Sequence, residues 1–381
     1  MRILFLTPNY FPTIGGAEAY AEDLTRALAD RGHDVTVVTH SNDPLQPRLE
    51  ASGFHRVIRV ESGARPHVAH WEDRIFGPLA DIYHVLANDK FDIIHANSHD
   101  TALLGACVSR EMGVPLLVTS HEIDREFGAF GRGRGQVIFG LAQVDTFIAP
   151  SNYYASLYRR MGAPSVRAIL HGVDRRRFTP EGSRHFRAKL GILPDSLLFL
   201  CPARFKERKG QLALVTAFTE YSKQFSNSYL VLCGSTSSGS LTYRRQVEDT
   251  ISRSGMSGRI FICDNVERSQ MSDVYRSCDA VVQPSRVEGL GLAVLEAMAS
   301  GRPVAVAAAP GLDEVVPEAM YGERFDVRSV SSIKAALVAL SDTDRRQELA
   351  DRALGRVAAV FDFERMVAET ENLYEEAIER D

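Results

Sequence analysis

The stretch RILFLTPNYFPTIGGAEAYAEDLTRALADRGHDVTVVT, residues 2–39, decides the fold class. Its opening run RILFLT is apolar on both faces, as a strand covered on both sides requires. A Pro/Gly turn follows, and then AEAYAEDLTRALADRG, whose apolar residues recur at helical spacing until Gly32 stops them. DVTVVT at 34–39 is a second buried strand. Strand, loop, helix and strand in that order predict a parallel sheet with helices on its faces.

Working outward, the same alternation recurs in FDIIHAN after 90, PLLVTS after 114, DTFIAP after 144 and VRAIL after 165. HGVDRRRFTPEGS at 171–183 reads as a linker, because the alternation then starts afresh with LLFLCPA, YLVLCG, RIFICD, DAVVQPS and PVAVAA. The expectation is an α/β chain of two doubly wound domains, residues 1–178 and 179–362. A last helical stretch, about 363–381, packs either at home or back on the first domain. Ligands of such sheets bind beyond the carboxyl ends of the strands, so the site is expected in a cleft lined by strand-end loops.

Composition supports this and excludes other classes. The 381 residues are 45% hydrophobic and 24% charged, which sets aside disorder, collagen and coiled coil. A net charge of -5 supplies no global positive field for nucleic acid, so small-molecule ligands are expected and nucleic acid is not. The five cysteines are scattered with no C-x-x-C pair, which fits a reducing cytoplasm rather than a disulfide framework. No apolar run reaches the roughly 18 residues of a membrane span, although peripheral membrane contact stays open. Oligomeric state has no signature.

Three segments carry groups suited to chemistry. In PSRVEGLGLAVLEAMASGRPVAVA, residues 284–307, a strand is followed by a Gly-rich turn and a helix. Free amides from Gly289 through Leu290, Gly291 and Leu292 at that helix start suit a phosphate. Glu296, farther along, leans back toward the N-terminus and could take two hydrogen bonds from a ribose diol. Glu288 precedes the helix. The bland alternative is a solvated loop acid and a surface helix acid.

In CPARFKERKGQ, residues 201–211, Arg204 closes a strand and Lys209 opens the next helix, so two cations converge where a departing diphosphate would need its charge neutralised. Lys206 and Arg208 read as solvated; a wholly surface basic loop is the rival reading. In IGGAEAY, Gly15 and Gly16 permit close approach of backbone to a ligand, yet neither they nor GLGLAV has the G-x-G-x-x-G spacing of a dinucleotide site.

Further features fall on the structural side. Asp342-Thr343-Asp344 has a metal-holding D-x-D form but reads as a helix cap. His95 and His99 end a strand without enough companions for zinc, so they read as core or cleft-lining residues and no metal is expected. GRGRGQ at 131–136 reads as a mobile loop over the first domain's site.

Taken together, GG-A-E at 15–18, His121 at a strand end, HGVD at 171–174, Arg204 with Lys209-Gly210, and EGLGLAVLEAMASGRPV at 288–304 resemble the retaining glycosyltransferases of family 4, with the GT-B fold. The resemblance implies two Rossmann-like domains facing across a cleft, the second holding the nucleotide and the first the acceptor. It implies Glu296 on the ribose, Glu288 on the donor sugar, Arg204 and Lys209 on the diphosphate, and backbone donors from Gly16 and Gly289 to Leu292. It also implies His121 near the reacting face of the sugar and the backbone of Val266 on the base. The sequence departs from the family at His171, Glu122 and Asp264, and in LDEVVPEAMYG after Gly311.

The function expected is metal-independent, front-face transfer of a sugar from a UDP or GDP sugar to a small-molecule, glycan or lipid-linked acceptor, with no cofactor. A nucleotide-sugar epimerase, a sugar phosphorylase and a non-catalytic nucleotide-sugar-binding protein are the alternatives on the same fold.

Overall fold

A computed structural model describes residues 1–381 except 14, 42–44, 61–75, 122–138, 140–141, 237, 265 and 381, and only the backbone of 76–78 and 238. Two compact units result. The first holds Met1–Leu170 together with Arg365–Asp381, and the second holds His171–Glu364.

The first unit is built on an eight-stranded sheet in the order β3-β4-β2-β1-β5-β6-β7-β8. Its strands are β1 (Arg2–Leu6), β2 (Asp34–His40), β3 (Leu49–Ser52), β4 (His55–Val60), β5 (Ile93–Ala96), β6 (Leu116–Thr119), β7 (Thr146–Ala149) and β8 (Val166–Ala168). All pair in parallel except β3, which runs antiparallel to β4 at the edge. Ile3, Leu4 and Phe5 of β1 are fully buried, as expected of a strand apolar on both faces. The edge strand β3 has no counterpart in the apolar runs of the sequence. Its LEAS sequence is only four residues long and exposed throughout, so no buried apolar run marked it.

The second unit carries a parallel six-stranded sheet in the order β11-β10-β9-β12-β13-β14. These are β9 (Leu197–Pro202), β10 (Ser228–Cys233), β11 (Ile260–Cys263), β12 (Ala280–Gln283), β13 (Val304–Ala307) and the short edge strand β14 (Glu323–Phe325).

Each sheet has one point where the strand order reverses. The chain leaves β1 toward β2 and returns on its other side as β5; it leaves β9 toward β10 and β11 and returns as β12. The crevices beyond β1/β5 and β9/β12 are where a doubly wound sheet presents loops to a ligand.

The helix Phe363–Ile378 starts at the end of the second unit. From Arg365 onward it belongs to the first unit. Arg31 donates to its Glu371 at 2.7 Å, and Arg167 pairs with its Glu376 at 2.9 Å.

Candidate active site

At the second unit's reversal point, two exit loops are packed together. The loop after β9 ends in a short 3-10 turn, Glu207–Lys209, closed by Gly210 in the left-handed region at φ 73°. A Cβ on Gly210 would stand 2.1 Å from the carbonyl oxygen of Pro284, so only glycine lets this loop lie against the exit of β12.

That approach brings Lys209 onto Glu288. Lys209 Nζ donates to Oε1 at 2.5 Å and to Oε2 at 2.7 Å, and Gln283 Nε2 donates to Oε1 at 2.9 Å. Glu288 is buried, and its own N–H is tied to the Pro310 carbonyl at 3.1 Å. Burial pushes the Glu288 carboxyl up, but Lys209 and Arg208 outweigh this and hold it below the usual carboxylate range. For Lys209 burial wins and draws the ammonium down, with Glu288 offsetting part of the shift. Arg208, expected to be solvated, instead donates to the Val287 carbonyl at 3.2 Å and stands 3.8 Å from Glu288. Arg204, two residues past β9, is half-buried and has no carboxylate partner among the described residues. The Lys209 charge is thus matched within the protein, whereas that of Arg204 is available to an anion.

The helix Leu292–Ala299 begins beside this pair. Gly291 caps it at φ 106°, and the amides of Val294 and Leu295 both close on the Gly291 carbonyl. First-turn amides such as Leu292 have no helix carbonyl within reach and point out of the N-terminus, as Gly289 and Leu290 lead into it. On the second turn, Glu296 accepts a hydrogen bond from the Tyr275 hydroxyl at 2.7 Å. Burial first, and then Glu296, raise Tyr275 well above its ordinary range, so it stays a donor and fixes one carboxylate oxygen. Val266, half-buried, lies just past β11, whose exit is gripped by Arg244 donating to both Asp264 oxygens at 2.6 and 2.9 Å.

The first unit's reversal point holds the remaining candidates. Gly15 caps the helix Gly16–Asp30 in extended backbone, and the Ala19 amide closes on its carbonyl at 2.9 Å. His121 follows β6, and its Nε2 is 2.8 Å from Asn97 Oδ1. Asn97 Nδ2 donates to the Ala17 carbonyl at 3.3 Å, which orients the amide so that Oδ1 faces the imidazole. The Nε2 proton of His121 is therefore the donated one and Nδ1 is the acceptor nitrogen. Burial draws His121 down to about 3, with His99 adding to the effect, so the ring is neutral at pH 7.

Other motifs resolve simply. Asp342 caps the helix Thr343–Val360 by accepting from the Arg345 amide at 2.7 Å, the helix cap expected despite its D-x-D form. His95 and His99 are buried core residues. GRGRGQ at 131–136 and Glu122 lie outside the described residues. Sequence reasoning missed Tyr275 and Asn97, which touch Glu296 and His121 from other segments, and Gln283, which reaches Glu288 from the end of the preceding strand; none has a motif of its own.

Two family models match the chain in succession: Glycosyltransferase Family 4 over residues 14–177, and Glycosyl transferases group 1 over 183–355. A D-inositol 3-phosphate glycosyltransferase of Xylanimonas cellulosilytica is 30% identical over 366 residues, spanning 88% of this chain and 86% of that protein. The chain is a family 4 glycosyltransferase. Family 4 membership agrees with the fold, since a sucrose-phosphate synthase from Thermosynechococcus elongatus superposes with a TM-score of 0.88 at 22% identity over the whole of both chains. Anabaena HepE, solved in complex with UDP and glucose, superposes at 0.83 with 21% identity over 98% of this chain and 99% of that one. The architecture is GT-B, and the chain is a glycosyl-transferring enzyme. Among the described residues of this glycosyltransferase, no helix is long and apolar enough to cross a membrane.

Proposed function

We propose that the chain is a retaining glycosyltransferase that moves a sugar from a UDP or GDP sugar to an acceptor nucleophile by a metal-independent front-face route. One observation carries this: at the second sheet's reversal point Arg204 has no carboxylate partner among the described residues, while the neighbouring Lys209 is held by Glu288. A diphosphate placed there meets Arg204 as a fork. It also meets the third N–H of Lys209, since Glu288 takes only two of that ammonium's donors.

The amides of Gly289 to Leu292, and Gly16 in the first unit, add backbone donors for phosphate oxygens. Glu296, steadied by Tyr275, accepts from the ribose hydroxyls. Glu288 accepts from the sugar's hydroxyls, and the Val266 backbone meets the base. Neutral His121 faces the reacting side of the donor sugar in this reading. The bond from the anomeric carbon to the diphosphate oxygen breaks with its electron pair on the diphosphate. The acceptor oxygen attacks from the same face, and its proton passes to the departing diphosphate. Arg204 and Lys209 would then supply the charge stabilisation that a metal supplies in other enzymes.

UDP and glucose in the Anabaena neighbour support a nucleotide-sugar donor, and the inositol phosphate glycosyltransferase name supports a small polar acceptor as one of the small-molecule, glycan or lipid-linked possibilities. Localisation in the cytoplasm, without a cofactor, belongs to the same reading.

The test is a thermal-shift panel of UDP, GDP, ADP and their sugars, because a ligand that binds only the folded state raises apparent stability by mass action. UDP or GDP, with the matching sugar, should shift the transition in buffer containing a chelator. No shift from any nucleotide would overturn the donor assignment. Inverted configuration at the product's anomeric carbon, followed by NMR, would overturn the front-face route.

A further inference from the structure

Beneath His121 lies a line of buried polar side chains that the proposed chemistry does not use. Tyr374, on the helix Phe363–Ile378, bonds its hydroxyl to His95 Nδ1, and His95 Nε2 lies 2.7 Å from Thr119 Oγ1. Thr119 Oγ1 is 3.4 Å from the Tyr20 hydroxyl, and the Tyr20 and His121 rings pack edge to face with centroids 5.0 Å apart. Tyr374, His95 and Thr119 are fully buried and Tyr20 nearly so.

The protons on this line have one arrangement. Burial draws His95 down to about 3, so the ring is neutral and carries one N–H. The Tyr374 hydroxyl has His95 as its only acceptor among the described residues, so its proton points to Nδ1. His95 must then carry its proton on Nε2 and donate it to Thr119, whose own hydroxyl proton goes to the Tyr20 oxygen. A buried line whose donors from Tyr374 to Thr119 are all committed fixes the rotamers of its members, at the expense of desolvating each of them.

We propose that Tyr374 is a positioning residue for His121: its hydroxyl sets the His95 tautomer, and the resulting one-way line of hydrogen bonds holds the Tyr20 ring that seats the His121 imidazole. The consequence for turnover rests on the proposed role of His121 at the sugar; the consequence for its geometry does not.

The experiment uses the full chain labelled with 15N-histidine, comparing wild type with Tyr374→Phe. Imidazole spectra should show His95 as the Nε2–H tautomer in wild type and a second tautomer in the variant. The His121 signals, identified by their loss in His121→Asn, should shift as well. With UDP-glucose as donor, Tyr374→Phe should lower kcat about tenfold with KM little changed, the scale expected when a reacting group is slightly misplaced. In the His121→Asn background the same change should have no further effect. Unmoved His121 signals in Tyr374→Phe would overturn the proposal, as would an equal loss of kcat with and without His121. Absence of UDP-glucose turnover in wild type would count against the donor reading alone, and the spectra would still decide this one.

Discussion

Lys209 and Glu288, from loops after different strands, share two hydrogen bonds of 2.5 and 2.7 Å in a largely desolvated setting. A pair of this kind is dangerous to break, because removing one partner leaves a buried charge with nothing to balance it. Glu288→Ala should cost about 3 kcal/mol of stability, measured by urea unfolding at neutral pH. Lys209→Met with Glu288→Gln, which removes both charges, should cost less than Glu288→Ala; an equal or larger loss would show that the pair is not the source of the effect.

The split between Arg204 and Tyr275 can be read in kinetics. Arg204→Ala should lower kcat about a hundredfold with little change in nucleotide affinity, since its charge is needed most as the diphosphate departs. Tyr275→Phe removes the donor that fixes Glu296 and should raise the donor KM by roughly tenfold at nearly constant kcat. Titration calorimetry with UDP or GDP separates the two, and a loss of affinity in Arg204→Ala equal to its loss of kcat would contradict the assignment.

Acid should destabilise the first unit through its buried imidazoles. His95 and His121 are both drawn down to about 3 by burial. The unfolded chain, with ordinary histidines near pH 6.5, binds protons that the folded chain refuses. The stability they contribute is complete above pH 6.5 and drains away as pH falls toward 3. Unfolding free energy measured between pH 7 and 4.5 should fall, and His121→Gln should flatten the slope.

Gly210→Ala should cost about 2 kcal/mol or more, because it combines a left-handed backbone with a collision against Pro284. The loss should appear as a lower melting temperature together with weaker nucleotide binding, since the displaced turn carries Lys209. Gly32→Ala, also left-handed but with open space around its Cβ, should lower the melting temperature less and leave nucleotide binding intact.

Strands with apolar runs covered on both faces, such as ILFL in β1 and AVV in β12, were legible because burial on two sides favours apolar side chains. The short exposed edge strand at Leu49–Ser52 was not, since an exposed edge imposes no such rule. Among site residues, the acids and cations stood out because their types match a diphosphate and a diol, and because they sit where strands end. What stayed hidden was how they are partnered. Lys209 meeting Glu288, and Tyr275 meeting Glu296, depend on the order of strands in the sheet, and spacing along the chain does not encode that.

The helix that supplies Tyr374 has a bearing on how the molecule is made. The N-terminal unit is not a continuous piece of polypeptide: its residues 1–170 are completed by Arg365 onward, after the whole second unit has been synthesised. A fragment ending at Leu170 would leave the Nδ1 lone pair of His95 facing a void, and Arg31 and Arg167 without their carboxylates. On the ribosome, the second unit therefore has all of its residues before the first unit does.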